Sequence, residues 1–177
     1  LNLAMNQSFQ RANNIAGWLL FAVATVVYLL TIEATASFWD CGEFIPAAFK
    51  QQIVHPPGAP IFLMVGRMFI VVGGEANAAV MMNAFSALCT SFSVLFLFWT
   101  CTWMVRKVML ARLEGSEESW NEEHTTTTLI AGGIAALTAT FSTSMWFSAV
   151  EAEVYAMATF FFALLFWAMN GHPLGCT

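Results

Sequence analysis

Four stretches of this chain carry no charged side chain, and each is close to the length needed to cross a lipid bilayer. One lies between Arg11 and Glu33, centred on 15–32; the others run 76–105, 129–150 and 154–169, the last marginal in length. A crossing helix needs about 20 apolar residues for a hydrocarbon core of about 30 Å. Composition agrees: of 177 residues, 59% are hydrophobic and 10% charged, against about 25% charged in soluble domains. A soluble fold of this size could not cover its surface with so few charges. Disordered, disulfide-scaffold and free cytosolic classes are thereby excluded, and a net charge of -5 leaves no basic footprint for nucleic acid. The expected fold is all-α and integral to the membrane, with about four transmembrane helices.

The stretch 60–72 is different. Thirteen helical residues reach only about 20 Å, and Arg67 sits in its middle. It is expected as a half-inserted or surface-lying helix, and that choice sets the topology. Arg11, Arg106, Lys107 and Arg112 then face the cytoplasm, while only Lys50 and Arg67 lie opposite, as the positive-inside bias requires. The resulting layout is a single membrane domain. It comprises span 15–32, an extracytoplasmic loop 33–74 with the half-inserted helix, span 76–105, a cytoplasmic loop 106–128, and spans 129–149 and 153–169. The run Thr125 to Thr128 reads as a polar entry to the third span, where Thr can cap a helix. The chain starts at Leu1 and stops shortly after an apolar run, which reads as an N-terminal fragment. No cleavable signal peptide is expected, because the first apolar run is long and no A-x-A site follows it.

Three places could carry chemistry. Asp40 and Glu43 are three apart, so on a short helix they share a face. Such a pair can hold a cation or divide acid and base roles; it equally fits an N-cap with Glu43 completing a capping box. In His55-Pro56-Pro57-Gly58 the paired prolines force an extended backbone that holds His55 at a set angle before the short helix. His55 there is either a ligand or proton carrier, or part of a plain turn. Glu151 and Glu153 stand between the third and fourth spans, where carboxylates are costly near lipid. Two apart, they would point to nearly opposite faces of a regular helix, so at most one would face a site with Asp40. Both could instead lie in a solvated turn at the headgroup layer.

Other polar groups read as structural. Asn77, Asn83, Ser86, Ser91 and Ser93 suit helix packing, and Trp18, Trp39, Trp99, Trp103, Trp146 and Trp167 suit interfacial anchors. Cys41, Cys89, Cys101 and Cys176 show no metal or redox spacing and read as small apolar packing residues.

Taken in order, these features resemble a known family. A first span precedes Asp-Cys-Gly-Glu at 40–43, and His-Pro-Pro-Gly at 55–58 opens a short apolar helix. Asn-Ala-Phe-Ser-Ala at 83–87 lies in the second span, and Glu-Ala-Glu-Val-Tyr at 151–155 follows the third. The chain resembles the N-terminal part of a bacterial membrane family, catalogued as a domain of unknown function and related to protein O-mannosyltransferases of the GT-C glycosyltransferase class. The resemblance implies a polytopic enzyme that moves a mannose-like sugar from a polyprenyl-phosphate donor to a hydroxyl of an acceptor protein or glycan. It places the enzyme in the inner membrane, with the site facing the periplasm. Asp40 would be the general base with Glu43 beside it, and His55 would lie near the donor phosphate. Glu151 or Glu153, in the motif closed by Tyr155, would supply the second acidic position on the substrate. The acids could hold a divalent cation, though no spacing demands one. Competing readings are an ion- or proton-coupled transporter segment and a noncatalytic membrane assembly protein; substitution of Asp40 separates these from the enzyme.

Overall fold

The computed structural model describes residues 2–37, 40–114 and 119–171, and among these every regular element is helical. In chain order they are α1 (Asn2–Leu30), α2 (Cys41–Lys50), α3 (Pro60–Gly73), a 3-10 turn (Glu75–Asn77), α4 (Ala78–Leu113), α5 (Glu122–Thr140), α6 (Thr143–Val150) and α7 (Val154–Gly171). Trp39 and Cys176, assigned above from sequence, lie outside the described residues.

Among the described residues, two helical stretches are long and apolar enough to cross a membrane, Gln7–Leu30 and Glu75–Leu113. A third crossing arises if α5 and α6 are counted as one span, bent by 61° at their junction. The expectation of about four spans is thus reduced to two or three. The third is broken, and α7, though strongly apolar, reaches only about 27 Å at 1.5 Å per residue.

The break between α5 and α6 falls at Phe141 and Ser142, where neither Gly nor Pro signals it. Its backbone groups are satisfied partly within the break and partly from α1, as a break inside a membrane requires. The hydroxyl of buried Tyr28 donates to the Thr140 carbonyl at 2.9 Å, and Ser142 Oγ donates to the Ala139 carbonyl at 2.8 Å. The turn of chain at this point is therefore held by α1, which supplies a donor 112 residues upstream.

α4 is the central element, packed against α1, α3, α5, α6 and α7. Its 36 residues would extend about 54 Å, so it runs well past the bilayer core and carries Arg106 and Lys107 within the helix. The connection to α5 is correspondingly shorter than the expected cytoplasmic loop. The start of α5 also differs from expectation. Its cap is Asn121, whose side chain accepts from the His124 backbone N–H at 2.9 Å. Thr126 and Thr128 instead turn their hydroxyls back to the carbonyls four residues earlier, at 2.9 and 2.8 Å. Being already inside the helix, they cannot cap it.

α3 has one buried face, with Phe62, Leu63, Gly66 and Ile70 against α2 and α4, and an exposed apolar stripe of Ile61, Met64, Met68 and Val71. Arg67 is accommodated by packing over the Phe49 ring, 5.1 Å from its centroid, and by an ion pair with Glu75 at 3.5 Å. Two apolar cores result. One joins α2, α3 and α7 to the first turns of α4 through Phe44, Phe62, Phe85 and Ala156. The other joins α1, α5 and α6 to the middle of α4 through Tyr28, Phe98, Ala136 and Ala149.

Candidate functional site

The segment after α1 is tied down at several points before it reaches Asp40. Buried Asn83 on α4 donates its amide to the carbonyls of Glu33 and Thr35, at 2.7 and 3.2 Å. The Glu33 backbone N–H donates to the Val150 carbonyl at 3.1 Å. These bonds carry the strand of chain past the end of α6, where Ser37 Oγ donates to Glu151 Oε2 at 2.8 Å.

Asp40 occupies the N-cap position of α2, and its carbonyl accepts from the Glu43 and Phe44 backbone N–H groups. Its side chain makes no cap hydrogen bond. Glu43 does not complete a capping box either; it turns to the His55 loop, with Oε1 accepting from the His55 backbone N–H at 2.7 Å and Oε2 meeting Nδ1 at 2.6 Å. His55 is thus brought to α2 by a side-chain contact rather than by its prolines alone.

Glu151 and Glu153 do not lie on a helix. Glu151 is extended at the end of α6, and the Glu153 N–H closes a three-residue turn by donating to the Glu151 carbonyl at 2.9 Å. Ser86 Oγ on α4 accepts from the same N–H at 3.3 Å. The expectation that at most one of the two acids faces Asp40 is overturned, because helical periodicity does not apply in this turn. Asp40, Glu151, Glu153 and Tyr155 together line a cavity of about 530 Å³ with Phe147 and Ser148. An adjoining cavity of about 210 Å³ is lined by Asp40, His55 and Tyr155 among others. Asp40 and Tyr155 are common to both walls.

The electrostatics separate these groups. Hydrogen bonding to His55 holds the Glu43 carboxyl below its ordinary range, and Glu43, with a smaller contribution from Asp40, raises the His55 imidazole above its own. Glu153 moves the other way. Burial, reinforced by the charges of Asp40 and Glu151, pushes it up to about 7, and its Oε2 is buried without a hydrogen-bond partner among the described residues. A carboxyl that binds its proton more tightly folded than unfolded favours the fold fully at acid pH. That contribution is lost as pH rises from the ordinary value of 4.5 through about 7. Glu153→Gln is therefore expected to flatten the fall in melting temperature between about pH 5 and pH 8, by about 2–4 °C at the upper end. Thermal unfolding in detergent across that range measures it, with Glu122→Gln as an exposed control.

Sequence reasoning passed over three residues here. Cys41 is buried at 1% exposure, yet its Sγ lies 3.7 Å from Glu151 Oε2 and 4.0 Å from Glu153 Oε1. One donor atom from each of the three lies within 4.8 Å of the others, a spacing that the ligands of one cation can share. Asn83 and Ser86 were expected as packing groups, but both hold loops of the site. Their helical spacing of three, on the face turned to the acids, was the signal available.

These features define a helical integral-membrane protein in which Asp40, Glu151 and Glu153 line one cavity, and Asp40 and His55 line a second that shares its Asp40 and Tyr155 wall. Its family follows from comparison. The protein O-mannosyl-transferase TMEM260 N-terminal domain matches residues 40–172, and the chain belongs to that family. The match includes Asp40, Glu43, His55, Glu151, Glu153 and Tyr155. Protein O-mannosyl-transferase tmem260 of Dictyostelium discoideum is 28% identical over 149 residues, covering 83% of this chain and 16% of that protein. Protein O-mannosyl-transferase TMEM260 of Mus musculus is 29% identical over 147 residues, covering 82% of this chain and 18% of that protein. The chain thus spans less than a fifth of the length of these relatives. No solved structure matches it.

Proposed function

We propose that this chain forms part of the catalytic site of a membrane glycosyltransferase that moves mannose from a polyprenyl-phosphate donor to an acceptor hydroxyl on the extracytoplasmic side. The observation that carries this reading is the position of Asp40. It lies on the wall common to both cavities, and its side chain is not used in capping α2. A Ser or Thr hydroxyl is a poor nucleophile until a carboxylate accepts its proton, and Asp40 is the carboxylate with access to both cavities. In this reading the acceptor hydroxyl attacks the anomeric carbon while its proton passes to Asp40. The bond from that carbon to the phosphate oxygen breaks, and its electron pair leaves with the lipid phosphate. The larger cavity, with its acids and the Tyr155 hydroxyl, suits a sugar, and the smaller one suits the phosphate. The relatives named as O-mannosyl-transferases support the sugar and the reaction class, and the positive-inside bias supports the side.

A single displacement of this kind inverts the configuration of the sugar carbon. The full-length protein, given polyprenyl-phosphate mannose of known anomeric configuration, is expected to give product of the opposite configuration, read by linkage-specific mannosidases or NMR. Retention would point to a covalent intermediate and remove Asp40 from the role of base.

A further inference from the structure

Both oxygens of Glu43 are engaged by one residue. Oε1 accepts from the His55 backbone N–H and Oε2 meets Nδ1, at 2.7 and 2.6 Å. The neighbouring Phe44 sets its ring 6.0 Å from the imidazole. A carboxylate so occupied is poorly placed to take a proton from a substrate. It is well placed to fix a ring: with Nδ1–H directed at Glu43, the imidazole plane is set and Nε2 lies on the far side. Among the described residues Nε2 has no protein partner, and His55 lines the 210 Å³ cavity that it shares with Asp40. The titratable groups around it are Glu43 on α2, Asp40 at the start of that helix and Tyr155 on α7, so the local charge favours a protonated ring.

We propose that Glu43 is a positioning residue that holds His55 as an imidazolium with its Nε2–H directed at the phosphate of the lipid-linked donor. The inference rests on the glycosyltransferase reading and specifies how that site takes its donor. The rise in the His55 pKa caused by Glu43 agrees with it. In the reaction the anomeric carbon–oxygen bond breaks and its electron pair stays on the phosphate oxygen, giving a phosphate monoester dianion. The acceptor proton goes to Asp40. His55 keeps its proton, and the Nε2–H bond to the phosphate strengthens as charge accumulates there.

The test is the pH dependence of kcat/KM for polyprenyl-phosphate mannose in the full-length protein, comparing wild type, Glu43→Gln, His55→Gln and Asp40→Asn in membranes. Without the Glu43 charge, His55 returns toward its ordinary value near 6.5. Glu43→Gln is therefore expected to lose kcat/KM at pH 7.5, by up to about tenfold and chiefly through KM, and to recover most of it near pH 5.5. Recovery by acid in the same variant shows that it is folded. His55→Gln is expected to be low at every pH, without this acid recovery. A Glu43→Gln loss of equal size at all pH values would make the contact merely structural, and no loss would make it irrelevant; either overturns the proposal while leaving transfer by Asp40 intact. If wild type transfers no sugar above the Asp40→Asn background, the glycosyltransferase reading fails and this inference falls with it.

Discussion

Asp40→Asn is expected to slow sugar transfer by about 10²- to 10⁴-fold, the range spanned by loss of a general base, while the donor KM changes little. The substitution is nearly isosteric, and the Asp40 side chain makes no cap hydrogen bond that the fold would lose. What disappears is an oxygen that can accept the proton of the acceptor hydroxyl. Folding is checked by melting temperature at matched expression, expected to stay close to wild type. The outcome also separates the competing readings: a noncatalytic assembly protein keeps its function in Asp40→Asn, whereas the enzyme loses kcat selectively. Wild-type kcat in the variant would remove Asp40 from the chemistry.

The second large effect is expected at Asn83, far along the chain from the acids. Its amide satisfies two carbonyls of the segment that follows α1, and it is 1% exposed. Asn83→Ala strips both carbonyls of their donor in a buried setting, at a cost of about 2–4 kcal/mol. For a chain of this size that corresponds to a melting temperature lower by about 5–10 °C. Activity should fall as well, because the same segment carries Ser37 to Glu151. Ser91→Ala provides the contrast. Among the described residues Ser91 Oγ donates to the Ala87 carbonyl of its own helix alone, at 2.8 Å, a carbonyl already used in the backbone ladder, so its loss should cost about 1 kcal/mol or less. Equal effects from the two substitutions would show that Asn83 is packing alone.

The charge-free runs read from the sequence correspond to α1 and α4 because burial in lipid leaves a compositional mark on every residue of a span. The short apolar helix α3 was legible from its length and from Arg67. The broken third span was not. Ser142 is its one local mark, a residue type equally at home inside a span, and the Tyr28 hydroxyl that bonds the Thr140 carbonyl there comes from another helix. The convergence of Glu151 and Glu153 is hidden for a related reason: a helix and a turn are both open to them from sequence, and the turn that unites them closes on the Glu151 carbonyl with a further bond to Ser86 on α4. Glu43 and His55 were each singled out, but a pairing across twelve residues follows from how the His55 loop folds back on α2, which periodicity does not encode. Cys41 shows the limit most plainly, since a buried thiol reads as packing until the carboxylates beside it are known.

The most direct measurement is transfer of labelled mannose from polyprenyl-phosphate mannose by the full-length wild-type protein in membranes, against membranes lacking it. Labelled acceptor, formed on the extracytoplasmic side and dependent on the protein, is the expected result. No transfer from mannose or any other sugar carried on a polyprenyl phosphate, by protein shown to be folded, would contradict the glycosyltransferase reading and leave the paired cavities to a transporter or an assembly role.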